Sequence, residues 1–155
     1  MKNPTKDFAK AEMLIRKPVE EVFNAFIDPA ITTQFWFTKS TGKLEANKQV
    51  EWTWEMYNVT IPVVVKSIEP NAKILIEWGS QHETTVVEWT FKNLDGQGTF
   101  VSIVNSGLTG TPEEVIAQVR DSTEGFTLVL AGLKALLEHN IRLNLVKDRF
   151  PAGLS

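Results

Sequence analysis

The chain has 155 residues, 43% of them hydrophobic and 23% charged, with a formal net charge of -3, enough length to bury a core within one domain. The charge balance, with no basic block beside the aromatics, argues against nucleic acid as a partner. The absence of cysteine excludes disulfides, thiolate metal sites and a cysteine nucleophile. The first residues, "MKNPTKDFAKAEMLIRKP", lack the apolar core of a secretory signal, and no run reaches the roughly 18 apolar residues of a membrane span. The expectation is one cytoplasmic domain over residues 1–155.

In chain order, Phe8 to Ile15 reads as a strand with imperfect alternation. "RKPVEEVFNAF" reads as a helix: Pro18 suits the first turn, Glu20 and Glu21 suit the positive end of the helix dipole, and Val19, Val22, Phe23 and Phe26 form one stripe. "DPA" at 28–30 breaks it and starts a short second helix ending near "QFWF" at 34–37. A long β region follows. "TGKLEANKQVEWTWEM" predicts strands separated by "EANKQ". "NVTIPVVVKSIE" predicts a strand with Val59, Ile61, Val63 and Val65 in one phase and Pro62 in the other, where an edge or bulge would accommodate it. After the turn "PNAK" come "ILIEWG", with Ile74, Ile76 and Trp78 in phase, and "TTVVEWTFKN", with Val87, Trp89 and Phe91 in phase. "LDGQG" closes a hairpin to "TFVSIVNSG".

Thr111, Pro112 and the acids Glu113 and Glu114 form a helix start, and the helical pattern runs to about Val146. Gly125 and Gly132 interrupt it, which calls for a packing reason or a break. Phe126, Val129, Leu130, Leu133 and Leu137 lie on one side, Lys134, Glu138 and Asn140 on the other. A run of strands followed by a helix predicts an α+β fold. The strands carry large residues on one face, and the last helix is the only element long enough to cover it.

Three stretches carry a family resemblance: "IRKPVEEVFNAFIDPAITTQFW" at 15–36, "EWGSQHETTVVEWTF" at 77–91 and "NSGLTGTPEEVIAQVRDSTEGFTLVLAGLKALLE" at 105–138. They resemble the START-related helix-grip (SRPBCC) superfamily and, within it, the activator-of-Hsp90-ATPase-homologue-like family, over about residues 8–146. Members often have Gly-Trp where this chain has Gly125-Phe126. The resemblance implies a helix-grip fold: a curved antiparallel sheet, two short helices near the N-terminus and a long C-terminal helix packed across the sheet. It also implies a cavity between sheet and helix that often holds an apolar or aromatic small molecule. The eukaryotic co-chaperone has an additional N-terminal domain central to chaperone contact, which this chain is not expected to contain.

In "QVEWTWEM" at 49–56, Trp52 and Trp54 alternate with polar residues, so one face of the strand is large and apolar. Trp78 and Trp89 share that phase on their strands. A single such tryptophan more often fills a core; four beneath a gripping helix, by analogy with the fold, favour a pocket wall. The expected ligand-binding set is Trp36, Trp52, Trp54, Met56, Val63, Ile76, Trp78, Trp89, Asn105, Phe126, Leu130 and Leu133. Trp36, where the resemblance implies an entrance, is read equally as gate or plug. A Trp N–H or Asn105 would orient the guest.

Polar candidates for chemistry are few. His82, beside "GSQ", is expected in an exposed turn, and His139 lies near the helix end. No histidine–carboxylate spacing suits a metal, and no serine has a base signature beside it. Glu51, Glu55, Glu77 and Glu88 are out of phase with the tryptophans and are read as solvated or as cross-strand partners of lysine. The expected function is non-catalytic binding of a small hydrophobic or aromatic, lipid- or polyketide-like molecule, with no cofactor, metal, nucleic acid or membrane span. The alternatives are a co-chaperone-type interaction module, and a cyclase, dehydratase or hydrolase, which would need an acid or base in the pocket. Oligomeric state is not legible.

Overall fold

The computed structural model describes residues 7–79 and 83–152. Its frame is one seven-stranded antiparallel sheet of β1 (Ala9–Ile15), β2 (Lys39–Ser40), β3 (Gln49–Trp54), β4 (Val59–Glu69), β5 (Lys73–Trp78), β6 (Thr85–Leu94) and β7 (Gly98–Ser106), in the order β1-β7-β6-β5-β4-β3-β2. Strands β2 to β7 follow one another as neighbours, and β1 adds itself beside β7, with Ala9 opposite Asn105 and Ile15 opposite Thr99. Helices α1 (Val19–Ile27) and α2 (Pro29–Thr32) lie between β1 and β2; α3 (Pro112–His139) and a short α4 (Leu145–Arg149) follow the sheet.

Alternation sorts the sheet as expected. Val50, Trp52 and Trp54, Val63 and Val65, Ile74 and Ile76, Val87, Trp89 and Phe91, and Val101 and Ile103 are all buried on one face. The phase in β4 holds, but Val59, at its end, is 40% exposed. Pro62 pairs with Glu51 of β3. Glu51 uses its backbone groups toward Thr41, so the pair is a non-hydrogen-bonded one and the Pro62 nitrogen faces the other way. On that side β5 has already ended at Trp78, opposite Val63, so no ladder bond is lost. β4 also carries an irregularity between Val65 and Ser67.

Two expectations about element limits need correction. "TGKLE" does not form a full strand. Only Lys39–Ser40 pairs with β3, and beyond it Leu44 donates its N–H to Ile27 and turns inward. The last helix does not run to Val146; it stops at His139, where Asn140 takes a left-handed backbone (φ 53°) and closes the end on Leu136. The start is as read: Thr111 and Glu114 form a reciprocal capping box around Pro112. The helix is continuous through both glycines. A Cβ on Gly132 would stand 3.4 Å from Phe35, the packing reason for that glycine, whereas a Cβ on Gly125 would meet nothing within 4 Å.

The C-terminal half of α3 is tied to the end of β1. Lys134 donates to the Leu14 carbonyl at 2.9 Å, and Glu138 accepts from the Arg16 N–H at 2.8 Å. The polar side of the helix is therefore not all turned to water: the Glu138 side chain is only 9% exposed. Phe126, Val129, Leu130 and Leu133 are buried as expected, Leu137 is half-buried, and Leu136 joins the core instead.

Candidate functional site

Between the N-terminal half of α3 and the ends of β3, β4 and β5 lies a cavity of about 600 Å³. Its floor is aromatic. Trp54 and Trp78 reach it from the sheet and Phe126 from α3, and Trp36 from the turn after α2. Trp36 is placed by local chemistry. Asp28 caps α2 by accepting from the Ala30 N–H at 3.0 Å, Thr32 donates to the Ala25 carbonyl at 2.6 Å, and the Trp36 N–H closes the turn on Thr32. Its ring then lies 4.9 Å from Trp52, 5.9 Å from Trp78, 6.0 Å from Trp89 and 5.7 Å from Phe126, at tilted or edge-to-face angles.

That cluster divides the interior. Behind it the packing is solid: Phe37 stacks on Trp52 at 4.5 Å and 17°, and Phe26 lies 5.8 Å from Trp89. In front of it the space opens, bordered by Gly125 and, toward solvent, by the half-exposed Val59 and Phe150.

Trp36, Trp54, Trp78, Asn105 and Phe126 therefore line the cavity. Trp52, Val63, Ile76, Trp89, Leu130 and Leu133 stand behind the lining, wholly buried in the core. Met56 sits half-buried in the 3-10 turn Glu55–Tyr57 and packs against the core. Trp36 is buried and central as well as lining, which fits the plug reading of its position more closely than a mobile gate. The Trp89 indole nitrogen is a buried side-chain polar atom without a hydrogen-bond partner among the described residues.

Several lining residues escaped sequence reasoning. Thr85, Ser122 and Gln118 border the cavity, as do Tyr57, Val146, Arg149 and Phe150. The last four form a closure. The Tyr57 hydroxyl donates to the Val146 carbonyl, with Lys147 O at 3.2 Å, and the Phe150 ring stands 6.0 Å from the Tyr57 ring. Arg149 bonds Glu124 of α3, which pushes its guanidinium pKa above the ordinary value, and its Cζ lies 4.2 Å from the Phe150 ring centre. These contacts join residues far apart in the chain, and Gln118 and Ser122 did not stand out because Arg120, Asp121, Thr123 and Glu124 surround them with other polar residues.

The polar end of the cavity is built on Asn105 of β7, which is 5% exposed. Its amide nitrogen donates to the Thr85 hydroxyl oxygen and to the Val86 carbonyl, each at 2.9 Å, and its carbonyl oxygen accepts from Ser122 at 2.9 Å. The acidic lining residues sit at the rim, Asp121 with its side chain 78% exposed and Glu124 46%. No carboxylate or imidazole is buried in the wall among the described residues. Nor do three His, Asp or Glu side chains converge as a metal set there. Glu77 and Glu88 reach Lys66 and Lys73 across strands at 3.7 and 3.5 Å, as read, and Glu51 and Glu55 are exposed. His139 is exposed beside Glu138, and His82 lies outside the described residues.

The family model described as Activator of Hsp90 ATPase homolog 1-like protein matches residues 16–138. The chain belongs to that family. No curated protein matches the sequence. Among solved structures, the crystal structure of the protein SSP2350 from Staphylococcus saprophyticus is 26% identical, with a TM-score of 0.75 over 88% of this chain and 96% of that one. DynU16, of the dynemicin biosynthetic locus, is 18% identical with a TM-score of 0.78 over 89% of this chain and 49% of its own. The Aha1 dimer from Colwellia psychrerythraea is 15% identical with a TM-score of 0.73 over 86% and 97%. The helix-grip arrangement is thus the family's fold. The family match ends at Glu138, so the residues of α4 that close this cavity lie beyond it. No helix among the described residues is long and apolar enough to cross a membrane.

Proposed function

We propose that this family member binds a small, mainly apolar molecule with a flat aromatic portion in the cavity between the sheet and α3, and does no chemistry on it. One observation carries the reading: about 600 Å³ of space is faced by Trp36, Trp54, Trp78 and Phe126 instead of being filled by them. Burying about 200 Å² of an aromatic guest there contributes roughly 5 kcal/mol before the cost of association is subtracted. The two rim carboxylates, Asp121 and Glu124, face solvent, Glu124 is bonded to Arg149, and the wall offers no buried acid or base among the described residues. DynU16, a protein of the dynemicin biosynthetic locus, shares this fold.

The test is titration of the full chain with the neutral probe N-phenyl-1-naphthylamine, followed by tryptophan fluorescence and by NMR of the indole N–H signals. Shifts at Trp36, Trp54 and Trp78, larger than those at Trp52, support the reading. Binding without perturbation of those three indoles, or no binding of any apolar aromatic, overturns it.

A second reading rests on the family's description, an activator of a chaperone ATPase. It makes the chain a protein-interaction module. Stimulation of Hsp90 ATPase by the purified chain would support it, and no stimulation at saturating concentration would remove it.

A further inference from the structure

We infer that the guest of this cavity is a neutral hydroxylated aromatic, whose hydroxyl donates to Ser122 while an oxygen of the ligand accepts from Thr85. The inference rests on the cavity-binding reading and adds the chemistry of its polar end.

The direction of each hydrogen bond around Asn105 follows from what its partners can do. The Val86 carbonyl only accepts, so the amide nitrogen faces it, at 2.9 Å. The second amide proton goes to the Thr85 oxygen, also at 2.9 Å. The carbonyl oxygen of Asn105 is then turned to Ser122, whose single hydroxyl proton it takes at 2.9 Å. Asn105 is thereby committed at both ends, and it sets the polarity of the two hydroxyls that border the cavity. Ser122 has spent its proton and presents only lone pairs. Thr85 has accepted and keeps its own proton, for which there is no acceptor among the described residues. At the Asn105 end the wall thus offers one acceptor and one donor.

A ligand hydroxyl donates and accepts and suits that pair; an ether or ketone uses only Thr85. A carboxylate has nothing to give Ser122, and the lining cation among the described residues, Arg149, is bound to Glu124 at the rim. The aromatic floor and the acceptor–donor pair belong to one cavity, so the two halves of the ligand are specified together.

The experiment compares 2-naphthol, 2-methoxynaphthalene and 2-methylnaphthalene on the full chain by NMR titration or calorimetry. The first two differ in the donor and in one methyl group, whose apolar area favours the ether; the last two differ in the acceptor oxygen. We expect 2-naphthol to bind about tenfold more tightly than the methyl ether, the weight of one net hydrogen bond. Ser122→Val puts a methyl in place of the hydroxyl and screens the Asn105 oxygen behind it; the preference should fall to within about twofold. Thr85→Val should weaken naphthol and its ether together and leave 2-methylnaphthalene unchanged, and it decides the matter if Ser122→Val melts too early to assay. Equal affinity of the three probes for the wild type leaves the cavity reading standing and overturns this inference, as does a naphthol preference that survives both substitutions. Binding of none of the three removes both.

Discussion

Glu138 accepts a hydrogen bond from the Arg16 backbone N–H at 2.8 Å, across 122 residues of chain, while its neighbour Lys134 lies 2.6 Å from the same carboxylate oxygen. The contact anchors α3 where β1 ends. Burial works against the ionised form of Glu138, but the Arg16 N–H and the Lys134 ammonium outweigh it, and the carboxyl sits below its ordinary pKa. A group with a depressed folded pKa stabilises fully above its unfolded value, and that contribution is lost as pH falls through the folded value. Glu138→Gln should therefore cost about 2 kcal/mol at neutral pH. The gap to wild type should narrow as the medium is acidified below the ordinary carboxylate range. Urea unfolding at several pH values measures it; a gap that does not change with pH would assign the cost to packing instead.

The two glycines of α3 should respond in opposite ways. Gly125 faces open space, so Gly125→Ala should stabilise by up to about 1 kcal/mol through helix propensity alone. Gly125→Phe should keep the fold and exclude N-phenyl-1-naphthylamine. Gly132 is buried against Phe35, and Gly132→Leu should destabilise by about 1–3 kcal/mol through overpacking. Thermal melts and the probe titration read all three.

Trp36 joins the solid core to the cavity floor, so its loss should be felt twice. Trp36→Ala should destabilise by about 3–5 kcal/mol and alter probe affinity. Trp36→Phe retains an aromatic edge against Trp52 and should cost less in both. Chemical denaturation and titration of the same samples separate the effects.

The Arg149–Glu124 pair holds α4 beside α3, and α4 follows an exposed segment bounded by Asn140 and Asn144, both in left-handed conformation. Arg149→Ala and Tyr57→Phe should each speed probe dissociation by several-fold and raise amide exchange in residues 145–149, with little change in the global melt. Unchanged off-rates in both would mean that the guest does not pass under α4.

The sheet was legible because period-two alternation is a local signal, and the start of α3 because Thr111, Pro112 and Glu114 are neighbours in sequence. Its end was legible in principle at Asn140, a residue that tolerates the left-handed backbone, but the apolar pattern beyond it imitated a continuing helix. Alternation names the face of a strand and not the depth along it. Trp52 and Trp54 share a phase, yet Phe37 covers the first and the cavity borders the second. The strand reading of "TGKLE" failed because Leu44 is drawn inward by Ile27, a tertiary contact. The closure by Tyr57 and Arg149 and the Asn105–Ser122 bond could not be read, since they depend on where α3 crosses the sheet.

The void facing Gly125 has a practical side. The chain holds no native thiol, so Gly125→Cys would place a single reactive sulfur at the edge of that void. A solvatochromic dye or a spin label attached there would report polarity and distance changes as guests arrive, in a protein that needs no other sulfur removed beforehand.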